Sequence, residues 1–328
     1  MKILLAVHHR LEMWTIPGWF VEKLRADFPQ FEFIHRETYD NLEDYVPDVE
    51  VLFTLSLRPD QFKAAKNLKW VHCPAAAVHQ FSFPEFVKSE VILTNGRDVH
   101  GPVVAEHVMA LIYALAKNFH LCARYQQKHE WGQEPVWYAN PHPRLIAGAT
   151  LGLVGLGSIG RPVARHASAL GMRVIATRGN PEKGTTEGVT QVFSASQLEE
   201  LLKQSDYIVL AAPVTSRTEN LIGTKELAWM KPDACIINVG RGQLLDETAL
   251  AQALREKKIG GAGLDVFDQE PLPTDSPFWD MENVLITPHT GGLADKLWER
   301  EYDLFVENLR RYIAHQPLLA LVNKQQGY

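Results

Sequence analysis

The sequence predicts an α/β protein built on two parallel sheets, with one domain inserted into the other. Three observations carry this. Short β-branched apolar runs alternate with amphipathic stretches; the runs fall into two series separated by a long helical segment; and 328 residues are more than one core comfortably holds. Alternation of strand and helix is the pattern of a sheet covered on both faces.

The first series is "KILLAV", "VEVLFTL", "LKWVHC" and "VILTN", all within the first hundred residues. "MKILLAVHHR" is cut off by two histidines and an arginine, so it reads as a first buried strand and not as a signal peptide. Next comes "GPVVAEHVMALIYALAKNF", a helix with Pro102 as a first-turn proline and Val104, Val108, Leu111, Ile112 and Leu115 on one face. Residues 120–145 are polar, aromatic and proline-interrupted; a disordered surface loop is one reading, and Trp131 and Trp137 argue instead for burial against something, another subunit being one candidate.

The second series is "TLGLVGLG", "RVIAT", "YIVLAA", "ACIINV", "GAGLDVF" and "NVLITP". A last helix, with Trp298, Tyr302, Phe305, Leu309 and Ile313 at helical spacing, returns the chain to the first domain. The expected division is 1–101 with 293–328 as one domain and 102–292 as the other.

Composition narrows the function classes. With 46% hydrophobic and 22% charged residues the chain reads as an ordinary globular protein. A net charge of -6 without a basic stripe argues against a nucleic-acid or membrane partner, and no apolar run reaches the roughly 18 residues a span needs. Cys73, Cys122 and Cys235 are odd in number and lack CxxC spacing, which favours a reducing cytoplasm and supports neither disulfides nor a metal site.

"TLGLVGLGSIGRPVARHASALG" places Gly155, Gly157 and Gly160 in a GxGxxG spacing between a strand and a helix whose Ile159, Val163, Ala167 and Leu170 share a face. That is a dinucleotide phosphate loop: a tight turn, close backbone approach to the pyrophosphate, then close helix packing. Three later segments each end a strand on a polar residue, where open α/β sheets bind ligands. They are "IINVGRGQLLD" with Arg241, "AGLDVFDQEPLP" with Asp265 and Glu270, and "VLITPHTGG" with His289.

On these segments, together with "APVTSRTENLIG" and "MKPDACIINVGRGQLLDETAL", the chain resembles the D-isomer-specific 2-hydroxyacid dehydrogenases over nearly its whole length. The resemblance implies two Rossmann-like or flavodoxin-like domains, the cofactor domain inserted into a discontinuous substrate domain, and a homodimer whose arm is the 120–145 segment. It implies Arg241 as substrate anchor and Glu270 with His289 as an acid/base pair. For the cofactor it implies Gly155, Gly157, Ser158, Ile159, Gly160, Thr177, Arg178, Pro213, Thr218, Val239, Gly240, Asp265 and Gly291.

Reduction of a 2-keto acid leaves a developing alkoxide, and a histidine with an ordinary pKa near about 6.5 suits its protonation. Glu270 would fix the ring's tautomer and favour the imidazolium, and Arg241 would grip the carboxylate.

One departure concerns the substrate loop. Where the family has glycines, this chain has "HCPAAAVHQF", so Ala76, Ala77 and Val78 are expected to offer backbone amides while their methyl groups remove access to φ > 0. His72, His79 and His100 read as ordinary loop polar groups. Rival readings are oxidation of formate or phosphite, disfavoured because formate dehydrogenases usually carry glutamine where Glu270 stands, and a dinucleotide-sensing corepressor-like protein.

The strand "RVIAT" ends on Thr177 and Arg178, 23 residues after Gly155, close to the offset of about 20 at which a carboxylate would bind the ribose 2′-hydroxyl of NAD. A guanidinium there pairs with a 2′-phosphate, so NADP(H) is expected to be preferred and NAD(H) to remain possible.

Overall fold

The computed structural model describes residues 1–180, 182 and 184–327. The chain divides into two compact units, Met1–His100 with Ala294–Tyr328, and Gly101–Leu293.

The first unit holds a parallel sheet of β1 (Lys2–Ala6), β2 (Glu32–His35), β3 (Val51–Thr54), β4 (Trp70–Cys73) and β5 (Ile92–Asn95), in the order β2-β1-β3-β4-β5. Side chains alternate between its faces with the period of two that a pleated strand dictates. Ile3, Leu5, Val51, Phe53 and Trp70 enter one core, where the helix Leu297–Ile313 adds Tyr302, Phe305 and Leu309. Leu4, Ala6, Leu52, Val71 and Cys73 enter the other.

The second unit holds β6 (Thr150–Val154), β7 (Arg173–Arg178), β8 (Gln191–Ser194), β9 (Tyr207–Leu210), β10 (Cys235–Asn238), β11 (Gly261–Leu264) and β12 (Val284–Ile286). All pair in parallel, in the order β12-β11-β10-β9-β6-β7-β8. The order reverses between β6 and β9, which is the doubly wound dinucleotide arrangement with one added strand. Ile236 and Ile237, neighbours on β10, are fully buried in opposite cores, and each contributes about 2 kcal/mol by leaving water.

Of the four edge strands, β5 and β12 match apolar runs of the sequence, whereas β2 and β8 match none. Each of the latter is four residues long and carries polar residues, "EFIH" and "QVFS", with three of its four positions reaching solvent in part or fully.

Helix boundaries need two corrections. The helix predicted to open at Pro102 begins at Arg97 and runs to Ala116, so the proline lies inside it. A proline there removes one hydrogen bond and crowds the Cβ of the preceding residue; that residue is Gly101, which has none. Leu170 caps the end of the helix Gly160–Ala169 and is 39% exposed, so the packed face is Val163, Ala164 and Ala167.

By length and composition the helix Arg97–Ala116 could cross a membrane. Its Val104, Val108, Leu111, Ile112 and Leu115 are instead buried in the second unit's core. Residues 119–137 form two short helices, Phe119–Gln127 and Gln133–Trp137, and Trp131 stands 91% exposed on this chain.

Candidate active site

Six strands of the second unit deliver the expected cofactor and catalytic residues to one edge of the sheet. Gly155 follows β6, Arg178 ends β7, Pro213 follows β9, Val239 to Arg241 follow β10, Asp265 follows β11 and His289 follows β12.

The phosphate loop has the geometry that its glycines require. Gly155 sits at φ 106°, and a Cβ on it would come within 2.7 Å of the Ala211 carbonyl oxygen. One on Gly160 would strike the Gly155 carbonyl oxygen at 2.2 Å, so the helix packs against the turn only as glycine. At Gly157 a Cβ would meet nothing within 4 Å, leaving open space on the side where a phosphate approaches. No side chain caps the N-terminus of the helix Gly160–Ala169; Arg161 gives its amide to the Gly157 carbonyl at 3.1 Å and Pro162 has none, while the amides of Ser158, Ile159 and Gly160 have no acceptor among the described residues and stay available to an anion. These residues fit a dinucleotide pyrophosphate, and Ser158 and Ile159 lie within that turn.

Thr177 is buried, and its carbonyl accepts the Gly155 amide at 3.2 Å, tying the end of β7 to the loop. The Arg178 guanidinium gives one N–H to the Gly184 carbonyl at 3.2 Å and has no carboxylate partner among the described residues. Thr218 closes the turn after β9, its hydroxyl donating to the Pro213 carbonyl at 2.7 Å.

His289 and Glu270, expected as an acid/base pair, are brought into contact. His289 Nδ1 donates to Glu270 Oε2 at 2.6 Å, and Glu270 Oε1 accepts the Phe267 amide at 3.0 Å, so the carboxylate is held from both sides. The contact is made through Nδ1, and Nε2 of the same ring has no hydrogen-bond partner among the described residues. Side-chain exposures of 50% for His289 and 35% for Glu270 keep the pair within reach of solvent.

His289 takes φ 53°, a left-handed backbone uncommon for a residue with a Cβ. It is held there from Asp265, whose carbonyl accepts the His289 amide at 2.9 Å. The Asp265 carboxylate accepts from the Thr287 hydroxyl at 2.6 Å, the Thr290 amide at 2.9 Å and the Gly291 amide at 3.0 Å. Asp265 is 2% exposed; burial acts to raise its pKa, but the bonds from His107, Thr287 and Gly291 outweigh it and hold the carboxyl below its ordinary value. His107, on the helix Arg97–Ala116, adds a donor from Nε2 to the Thr287 hydroxyl at 3.0 Å.

Arg241 opens the 3-10 turn Gly242–Leu244, and its Nη1 donates to the Gly240 carbonyl. Burial lowers its pKa, with the Glu270 charge opposing, and a guanidinium so placed remains charged. A residue that the sequence reading missed sets this turn. Asn238, fully buried at the end of β10, accepts the Gly240 amide at 3.1 Å on Oδ1 and donates from Nδ2 to the Arg241 carbonyl at 2.9 Å. An asparagine three residues before the arginine was the available signal, since Asn side chains close such local rings.

In the first unit, Ala75, Ala76 and Ala77 follow β4. None has a positive φ, so the expected loss of that conformation costs this loop nothing. Of the nearby histidines, His72 is fully buried against Glu301 at 2.5 Å, and His100 donates to the Pro74 carbonyl at 3.0 Å.

Residues 109–291 match the family described as D-isomer specific 2-hydroxyacid dehydrogenase, NAD binding domain. The chain belongs to the D-isomer-specific 2-hydroxyacid dehydrogenases, oxidoreductases with an NAD-binding domain. It is 33% identical over 324 residues to a glyoxylate reductase of Thermococcus gammatolerans, covering 95% of this chain and 94% of that one.

Among solved structures it is similar to a D-isomer specific 2-hydroxyacid dehydrogenase from Xanthobacter autotrophicus in complex with NADPH and MES. That match has a TM-score of 0.82 at 28% identity, over 100% of this chain and 99% of the other. It is also similar to an NADPH-dependent glyoxylate/hydroxypyruvate reductase from Sinorhizobium meliloti in complex with NADP and sulfate. Here too the TM-score is 0.82, at 26% identity over 100% and 99% of the two chains.

Proposed function

We propose that this protein reduces a small 2-keto acid, of the glyoxylate or hydroxypyruvate class, to the D-2-hydroxy acid, with NADP(H) preferred over NAD(H). The observation that carries the reading is the 2.6 Å pair of His289 and Glu270, held on a loop that Asp265 braces. A reduced nicotinamide, when bound, supplies hydride to the keto carbon.

The chain's own residues do the rest. His289 Nε2 gives its proton to the keto oxygen as that oxygen gains charge, while Glu270 holds the ring by Nδ1 and stabilises the imidazolium. Arg241, charged and without a proton to lend, grips the carboxylate and polarises the carbonyl. The amides of Ala76, Ala77 and Val78 take up the carboxylate. One hydride and one proton convert the ketone to the alcohol, so the balance closes without a metal or a covalent intermediate.

Gly155, Gly157, Ser158, Ile159 and Gly160 hold the pyrophosphate, Thr177 and Arg178 the 2′-phosphate, and Pro213, Thr218, Val239, Gly240, Asp265 and Gly291 the remaining cofactor edge. In the same reading the segment 120–145 packs on a second copy of the chain. Its support is the exposure on this chain of Trp131 at 91%, Trp137 at 58%, Tyr138 at 68% and Leu145 at 75%.

The test is a panel of 2-keto acids run with NADPH and NADH in parallel, together with His289→Ala. Turnover of glyoxylate or hydroxypyruvate is expected, with His289→Ala losing at least about a hundredfold in kcat while dinucleotide affinity is kept. An unchanged kcat in that variant refutes the proton-donor role. A chain that binds dinucleotide but reduces nothing on the panel is a sensor and not this enzyme.

A further inference from the structure

The loop after β4 raises a question of accounting: where each backbone carbonyl goes. From residue 74 to 77 every one has a donor within the protein. The Pro74 carbonyl accepts from His100 Nε2 at 3.0 Å and that of Ala75 from the Gly96 amide at 3.2 Å. The Ala76 carbonyl accepts from Asn95 Nδ2 at 2.6 Å, and that of Ala77 from Gln80 Nε2 at 3.3 Å and from the Cys73 thiol at 3.7 Å; Gln80 Nε2 also donates to the Leu55 carbonyl at 2.5 Å.

In a planar trans peptide the C=O of one residue and the N–H of the next point in opposite directions. None of these bonds is cis. Fixing the carbonyls of Ala75, Ala76 and Ala77 therefore turns the amides of Ala76, Ala77 and Val78 away from Gly96, Asn95 and Gln80. Among the described residues those three amides have no acceptor. The Ala75 amide differs, because it bonds to the Cys73 sulfur.

The two side-chain amides bear a second mark. Asn95, 1% exposed, leaves Oδ1 buried without a partner, and Gln80 leaves Oε1 in the same state. Each is used as a donor alone, and an orphaned buried acceptor is tolerated for it.

We propose that Asn95 and Gln80 are positioning residues for substrate: by drawing in the carbonyls of Ala76 and Ala77, they aim the amides of Ala77 and Val78 at the carboxylate of the 2-keto acid. This rests on the reading that these amides take up that carboxylate. It also accounts for a loop of alanines, since the amides are oriented by side chains elsewhere and not by glycine conformations.

The experiment is a titration of oxamate, a carboxylate that mimics a 2-keto acid without being reduced, into the NADPH-saturated or NADH-saturated protein. It compares the unmodified chain with Asn95→Ala and Gln80→Ala, with KM and kcat for glyoxylate and for pyruvate against methyl pyruvate measured alongside. Misaligning one charge-assisted amide bond weakens oxamate about tenfold, raises KM for the acids by a similar factor, and leaves methyl pyruvate and the dinucleotide within about twofold. Gln80 is half-buried, so Gln80→Ala keeps the test alive should the fully buried Asn95 be needed for folding.

Oxamate affinity unchanged in both folded variants, or equal losses for acid and ester, overturns the inference while glyoxylate turnover by the unmodified chain leaves the enzyme reading standing. Absence of turnover overturns that reading and leaves the oxamate comparison to decide this one. An unmodified chain that binds no oxamate overturns the inference.

Discussion

Replacing Arg178 by aspartate is expected to reverse the cofactor preference, and the structure sets the size of the effect. A hydrogen-bonded guanidinium–phosphate pair contributes about 1.5–3 kcal/mol. Arg178 is partly exposed at the end of β7 and already gives one N–H to the Gly184 carbonyl, so the lower figure of about 1.5 kcal/mol applies. An aspartate adds about 1 kcal/mol of repulsion toward a 2′-phosphate at about 4 Å in a water-like dielectric. It gains about 1 kcal/mol with NADH by accepting the ribose 2′-hydroxyl.

The sum, about 3.5 kcal/mol, corresponds to a swing of roughly 300-fold in the ratio of kcat/KM for NADPH to that for NADH. The assay is steady-state reduction of glyoxylate at saturation, with each dinucleotide varied in turn. A swing below threefold, or an unmodified chain that prefers NADH by a wide margin, refutes the reasoning and leaves Arg178 a surface residue.

Asp265→Asn should destabilise the protein by about 2 kcal/mol at pH 7, because the replacement turns an N–H donor toward donors that a carboxylate now satisfies. The Asp265 pKa lies below its ordinary value, so its contribution is complete above about pH 4 and fades as pH falls through the folded-state value; the gap in melting temperature should narrow in acid, and a gap independent of pH counts against the assignment. Deleting residues 126–140 should give monomers by sedimentation, and a dimer that persists contradicts the arm.

The cofactor half of the site was legible because its chemistry is local in sequence. Gly155, Gly157 and Gly160 act within a single turn, and Arg241, Asp265 and His289 each stand just past an apolar run, so locating the strand ends located the residues. Features set by distant partners were not legible. Nothing near Ala76 in sequence announces that Asn95 holds its carbonyl, and nothing near His289 announces that Asp265 imposes its left-handed backbone.

The edge strands β2 and β8 escaped for a related reason, since their stability comes from pairing with β1 and β7 and not from an apolar pattern of their own. Pro102 misled because a helix-start signal is a statement about frequency. Here the glycine before it allowed another solution.

The Asn238 clamp has a mechanical consequence. Its side chain closes on Gly240 and Arg241, and its main-chain carbonyl accepts the Asp265 amide at 3.0 Å. Asp265 in turn suspends the loop that carries His289. Thermal displacement of that one strand end therefore carries the cation and the imidazole together, as two arms on a single spindle. Their separation is buffered against the breathing of the sheet, so the spacing between Arg241 and His289 on which the proposed anchoring and protonation depend persists while the surrounding backbone fluctuates.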